Sequence, residues 1–220
     1  MPKSETIDEK KHRIRNILRA LRKDFPEPAC ALLHHDPLQL LIATILSAQC
    51  TDDRVNKVTP ALFQRFKRAQ DFASADQVEL EDIIRSTGFF HAKAKNIIAC
   101  CANIVERFGG AVPSTMEELT SLSGVGRKTA NVVLGNAFGS PGLAVDTHVK
   151  RIANLLRLTK ASDPDLIEQD LCAIIPPKDW IDASHLIILH GRKTCIARRP
   201  KCELCLIATF CPSANSTGKK

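Results

Sequence analysis

The chain has 220 residues, 44% of them apolar, with 31 Lys or Arg against 24 Asp or Glu and a formal net charge of +7. That apolar share supports a core and excludes a wholly disordered chain. The polar Met1–Arg13 stretch lacks a leader's apolar segment, and the richest apolar run, Leu38–Ala48, is far short of the ~20 residues of a membrane span. The sequence reads as a soluble intracellular protein. Its charge is uneven: residues 1–23 hold eight basic and three acidic side chains, residues 192–220 hold seven and one, and the middle is mildly acidic. Basic ends around an acidic middle suit a polyanionic partner, with a solubilising surface as the plainer alternative.

Taken in chain order, the pattern is helical. Asp36-Pro37 offers an N-cap and an N1 proline to a helix over Leu38–Ala48. In Ala92–Phe108 the residues Ile97, Ile98, Cys101, Ile104, Val105 and Phe108 share one helix face, and Gly109-Gly110 supplies a stop. Ser114-x-x-Glu117 has capping-box spacing. Asp163-Pro164 opens a segment bearing Leu166, Ile167, Leu171 and Ile174, closed by Pro176-Pro177. Trp180–His190 predicts a last helix ended by Gly191, before a polar tail, Ser213–Lys220. No run alternates apolar and polar over strand length, so the expected fold class is all-α.

Three constellations carry chemistry. Cys195, Cys202, Cys205 and Cys211 crowd into seventeen residues, while Cys30, Cys50, Cys100, Cys101 and Cys172 are scattered. Four thiolates in one loop without a secretion signal predict a metal site. Only Cys202 and Cys205 form a close pair of the zinc type; a cubane cluster tolerates the wider spacings, and spacing alone leaves both open. Arg192, Lys193, Arg198, Arg199 and Lys201 surround this loop, either to meet phosphates or to balance thiolate charge.

Next, Gly124-Val125-Gly126 followed by Arg127 and Lys128 predicts a tight turn opening a helix, a setting that suits a phosphate. Lys128 is either one more phosphate contact or a Schiff-base nucleophile. Asp146, before the pattern Val149, Ile152, Ala153 and Leu156, is either an ordinary N-cap or a carboxylate that stabilises a sugar cation.

Together with Leu46-Ser-Ala-Gln-Cys-Thr-Asp52, Leu122–Asn131, Val145-Asp-Thr-His148 and Leu189-His-Gly-Arg192, these motifs make the chain, from about Leu21 to Cys211, resemble the endonuclease III family of helix-hairpin-helix DNA glycosylases. The resemblance implies a helical barrel over 30–140 with the hairpin, and a discontinuous domain of 1–29 and 141–220 that holds a [4Fe–4S] cluster on Cys195, Cys202, Cys205 and Cys211. It implies removal of oxidised or ring-damaged pyrimidines such as thymine glycol from double-stranded DNA, followed by β-elimination 3′ to the abasic site. Lys128 falls on the family's Schiff-base lysine and Asp146 on its catalytic aspartate.

The same resemblance gives DNA contacts to Gln49, which fills the gap left by the flipped base, to a wedge at Phe89 where the family often has Leu, and to Gly124, Val125, Gly126, Arg127, His148 and Arg192. It also implies a monomer in the cytoplasm, on the bacterial nucleoid. Ser123 replaces the usual Pro before the hairpin, and Cys50 a small residue. The alternatives are a monofunctional adenine or mismatch glycosylase and a non-catalytic DNA-binding module with a structural metal. The first is disfavoured by Lys128 and by only nine residues following Cys211, too few for that family's recognition domain.

Overall fold

The computed structural model describes residues 5–214; Lys3, Lys219 and Lys220 of the basic ends and most of the polar tail lie outside them. The described residues form helices, 3-10 turns and loops, with no strand among them, as the periodicity predicts. The chain divides into two units, one of Cys30–Ser140 and one of the residues up to Ala29 together with those from Pro141 onward.

The Cys30–Ser140 unit is organised on α2 (Pro37–Leu46). Asp36 accepts from the Gln39 amide at 2.8 Å, and Pro37 fills the first position, where a missing N–H costs nothing. Every residue from Leu40 to Leu46 is buried, so this helix is apolar on all sides and sits inside the unit. The helices α3 (Asp52–Arg65), α6 (Phe90–Phe108) and α8 (Arg127–Phe138) pack on it. Short α4 (Ala69–Ala73) and α5 (Gln77–Ile84) lie against α6, and α7 (Met116–Thr120) against α8. Phe66 and Phe72, with ring centroids 5.0 Å apart, close the core. Cys100 and Cys101 are buried there, and burial pushes the Cys100 thiol up to about 12. They behave as small hydrophobes.

In the other unit, α1 (Ile7–Asp24) starts at a capping box between Thr6 and Glu9 and buries Ile14, Ile17, Leu18 and Leu21, one face at helical spacing. It packs on α11 (Trp180–Lys193), which also meets α9 (Thr147–Leu155); α10 (Pro164–Cys172) packs on α9. Arg22 bridges Asp179 and Asp182 at 2.8 and 3.1 Å. Among the described residues no helix is long and apolar enough to cross a membrane.

Several boundaries differ from the sequence expectation. The first apolar helix ends at Leu46. The capping pair is Thr115 with Glu118, one residue later than the Ser114 spacing suggests, because Thr115 has the extended backbone of an N-cap and accepts from the Glu118 amide at 3.2 Å. The segment opened at Asp163 leaves its helix at Cys172, so Ile174 is buried from a turn while Leu166 stays exposed.

The largest correction concerns Gly191. It does not end the last helix, which runs on to Lys193. A Cβ at Gly191 would lie 2.7 Å from His148 Nδ1 and 3.0 Å from Ile152 Cδ1, so the missing side chain is what lets α9 approach α11. Helix propensity favours Gly191→Ala by ~1 kcal/mol, while overpacking typically costs ~1–3 kcal/mol. With the half-buried His148 ring on one side and the Ile152 side chain, buried in the core, on the other, steric cost should dominate. Gly191→Ala is expected to lower the melting temperature by a few degrees in calorimetry; an unchanged or higher value would mean the His148 ring moves aside freely.

Candidate active site and cysteine loop

Lys128 is the second residue of α8 and is exposed. The N-cap of α8 is Gly126, and no side chain among the described residues caps it, so this helix end presents first-turn amides in the manner that holds an anion. Before it, Gly124 has φ +74 and is exposed, as is Gly126. Val125 differs from its neighbours: its side chain is only 5% exposed and its amide donates to the Leu122 carbonyl at 3.2 Å. Its side chain therefore anchors the turn to the core. Arg127 is exposed beside Lys128.

Asp146 lies in the other unit, at the N-cap of α9, where its Oδ1 accepts from the Val149 amide at 2.8 Å. The ordinary capping role is thus real. It uses one carboxylate oxygen and leaves a half-buried negative charge at the helix start. His148 follows on α9, half-buried over Gly191, and Arg192 is exposed in the last turn of α11.

Gln49 and Phe89 are both exposed, Phe89 by 65%. Both have left-handed backbone, with φ 53 at Gln49 and φ 49 at Phe89. A non-glycine residue held there costs of order 1–3 kcal/mol, which the surrounding structure must over-determine.

Cys195, Cys202, Cys205 and Cys211 line one cavity, together with Ile152, Leu156 and Ile207. Burial pushes the Cys205 and Cys211 thiols up; backbone amides partly oppose this, and the neighbouring cysteines add to it. A guanidinium and an imidazole face the sulfurs. Arg151 Nη1 lies 3.5 Å from Cys195 Sγ, and His190 Nε2 lies 3.8 Å from Cys205 Sγ. Burial lowers His190 to about 4, so its ring is neutral near pH 7. Among the described residues no three His, Cys, Asp or Glu side chains converge closely enough to hold a single metal ion.

Sequence reasoning missed Arg151, His190 and the buried Lys93. Lys93 stands four, seven and eight residues before Ile97, Cys100 and Cys101, in the apolar stripe of α6, and that position was its visible signal.

Residues 42–177 match the family described as HhH-GPD superfamily base excision DNA repair protein. Endonuclease III of Synechocystis sp. is 56% identical over 209 residues, covering 94% of this chain and 95% of that protein. Two solved structures have the same fold. A non-covalent endonuclease III–DNA complex matches with a TM-score of 0.91 and 43% identity, over 96% of this chain and 99% of that one. A trapped endonuclease III–DNA covalent intermediate matches with a TM-score of 0.90 and 42% identity, over 95% and 99%. The chain belongs to the endonuclease III family of the HhH-GPD superfamily, base excision repair DNA glycosylases with AP lyase activity.

The glycine turn generates a paired prediction. An added Cβ at Gly124 would sit 2.9 Å from Asn96 Cβ on α6 in a left-handed backbone, whereas at Gly126 it would meet nothing within 4 Å. Gly124→Ala should therefore destabilise by ~1–3 kcal/mol in denaturant unfolding and weaken binding to undamaged duplex. Gly126→Ala should cost well under that. Equal effects from the two substitutions would show that neither the left-handed backbone nor the Asn96 approach matters to the turn.

Proposed function

We propose that this chain excises oxidised or ring-damaged pyrimidines such as thymine glycol from double-stranded DNA, then cleaves 3′ to the resulting abasic site through a Schiff base on Lys128. The observation that carries this reading is the similarity, across nearly the whole chain, to an endonuclease III caught in a covalent complex with DNA, together with an exposed lysine in the first turn behind a glycine hairpin. A covalent intermediate needs a nucleophile, and a neutral lysine amine is one.

The chemistry follows from the groups present. A damaged nucleotide is flipped out of the stack, an unstacking that costs a few kcal/mol and least for damaged bases. The Lys128 Nζ bonds to the sugar C1′ as the C1′–base bond breaks, and the base leaves with the electron pair. Asp146 contributes negative charge toward the positive charge that develops on the sugar, and assists proton transfer. Ring opening gives an iminium between Lys128 and C1′, which acidifies the C2′ proton. Loss of that proton expels the 3′ phosphate, cutting the strand, and water releases the lysine. One side chain thus serves both glycosylase and lyase steps.

Gln49 fills the gap left by the flipped nucleotide, Phe89 wedges the stack, and Gly124, Gly126, Arg127, His148 and Arg192 bind the DNA backbone, with Val125 anchoring the turn. The division into 30–140 and 1–29 with 141–220 is taken as the domain organisation, and the protein as a monomer working on nucleoid DNA.

A [4Fe–4S] cluster on Cys195, Cys202, Cys205 and Cys211 fits this loop better than zinc. Four partly buried thiols around one cavity suit a group wider than a single ion, and the donors on Arg151 and His190 suit thiolates. When bound, the cluster fixes the loop and the cations on it; bond cleavage is left to Lys128 and Asp146.

Two experiments test this reading. Borohydride reduction on a duplex with one thymine glycol should trap a covalent adduct with the wild type and none with Lys128→Ala. Release of the base without any adduct would make the protein monofunctional and Lys128 a phosphate contact. Separately, iron and acid-labile sulfide should each approach four per chain and fall together in Cys202→Ser. One zinc per chain with no sulfide would overturn the cluster assignment.

A further inference from the structure

We propose that Lys93 is a positioning residue that holds Gln49 and Phe89, the two residues that enter the DNA stack, in one fixed arrangement. The inference rests on the DNA-contact reading above and extends it to a side chain that touches no DNA.

Lys93 lies in the first turn of α6 and is 4% exposed. Its ammonium donates to the Leu46 carbonyl and to the Thr87 carbonyl, each at 2.8 Å, and its amide donates to the Phe89 carbonyl at 3.1 Å. Leu46 is the last residue of α2, three before Gln49; Thr87 ends a 3-10 turn, two before Phe89. The carbonyls at such helix ends have no partner within the helix, and a cation there also meets the negative end of the dipole. One nitrogen therefore closes the ends of two chain segments that are 41 residues apart in sequence and binds them to each other.

What those segments carry gives the bond its meaning. Within three residues of each tied carbonyl is an exposed non-glycine residue with positive φ, Gln49 on one side and Phe89 on the other. Such backbone persists only where its surroundings force it. Without the shared donor, each loop would relax toward ordinary backbone, and the two side chains would lose their common orientation. Burial lowers the Lys93 ammonium from the usual lysine range, opposed by Cys50, so its burial is an expense that a plain core residue would avoid. A methionine of similar length would leave both carbonyls without their donor.

The test compares Lys93→Met, the double variant Gln49→Ala/Phe89→Ala, and the triple variant. Unstacking is read from 2-aminopurine fluorescence opposite a tetrahydrofuran abasic analogue, and base release from single-turnover excision of thymine glycol. Lys93→Met is expected to reduce the 2-aminopurine signal and slow excision by ~10-fold or more, the size of one unsatisfied buried carbonyl. In the triple variant it should add less than ~2-fold to the defect of the double variant, since coupled residues are not additive.

A full multiplicative loss in the triple variant would assign Lys93 a general structural role and overturn the proposal, as would Lys93→Met behaving like wild type while the double variant is defective. If the double variant itself unstacks and excises normally, it is the DNA-contact reading that fails, and this inference with it. Should Lys93→Met not fold, Lys93→Gln takes its place: because its amide keeps a donor, a defect smaller than that of the double variant and absorbed in the triple variant supports the proposal, and a loss that multiplies in the triple variant overturns it.

Discussion

An α-helix pairs its own backbone everywhere except its first four N–H and last four C=O groups, and in a protein built from helices those ends are where polar chemistry must happen. The candidate residues follow this closely. Lys128 is in the uncapped first turn of α8, Asp146 is the N-cap of α9, Phe89 precedes α6, Gln49 follows α2 and Arg192 is in the last turn of α11. The apolar faces between these ends do the folding. The positive poles of α8 and α9 supply a field that suits an anion, and at α9 the capping carboxylate of Asp146 occupies it.

That constraint also separates the two glycine roles. Gly124 is needed for a backbone angle and for the approach to Asn96 at a helix start, where amides must stay open. Gly191 is needed only for space, in the last turn of α11, because the ring of His148 lies 2.7 Å from where its Cβ would be. A glycine read as punctuation from sequence can thus be a packing device, and periodicity alone does not distinguish them. The third dimension enters through α9, whose approach to α11 no local pattern encodes.

The same logic explains what was legible in the sequence. Asp36, Asp146 and Asp163 are visible as N-caps because capping is a contact between residues two or three apart. The long stripe of α6 is visible because burial of a helix face leaves its own period. The four cysteines are visible because their ligand chemistry is rare and crowded. Lys93 was not singled out, since its partners Leu46 and Thr87 are backbone carbonyls that carry no sequence signature, although a lysine within an apolar stripe was itself a mark. Arg151 and His190 reach sulfur from α9 and α11, elements whose proximity only the fold supplies.

The cations of the cysteine loop can now be divided by where they sit. Arg151 reaches Cys195 from α9 in a part-buried contact, where a charge is less screened than at the surface. Arg198, Arg199 and Lys201 are exposed on the loop, where water lies between them and any partner they do not touch. Arg151 is thus a cation in direct contact with a sulfur of the loop. The surface cations remain available to phosphates, and their spacing on that surface depends on whatever holds the four cysteines together. The spacing of charge on that surface is thereby set by the order of the loop that carries it, which a loose loop would leave averaged.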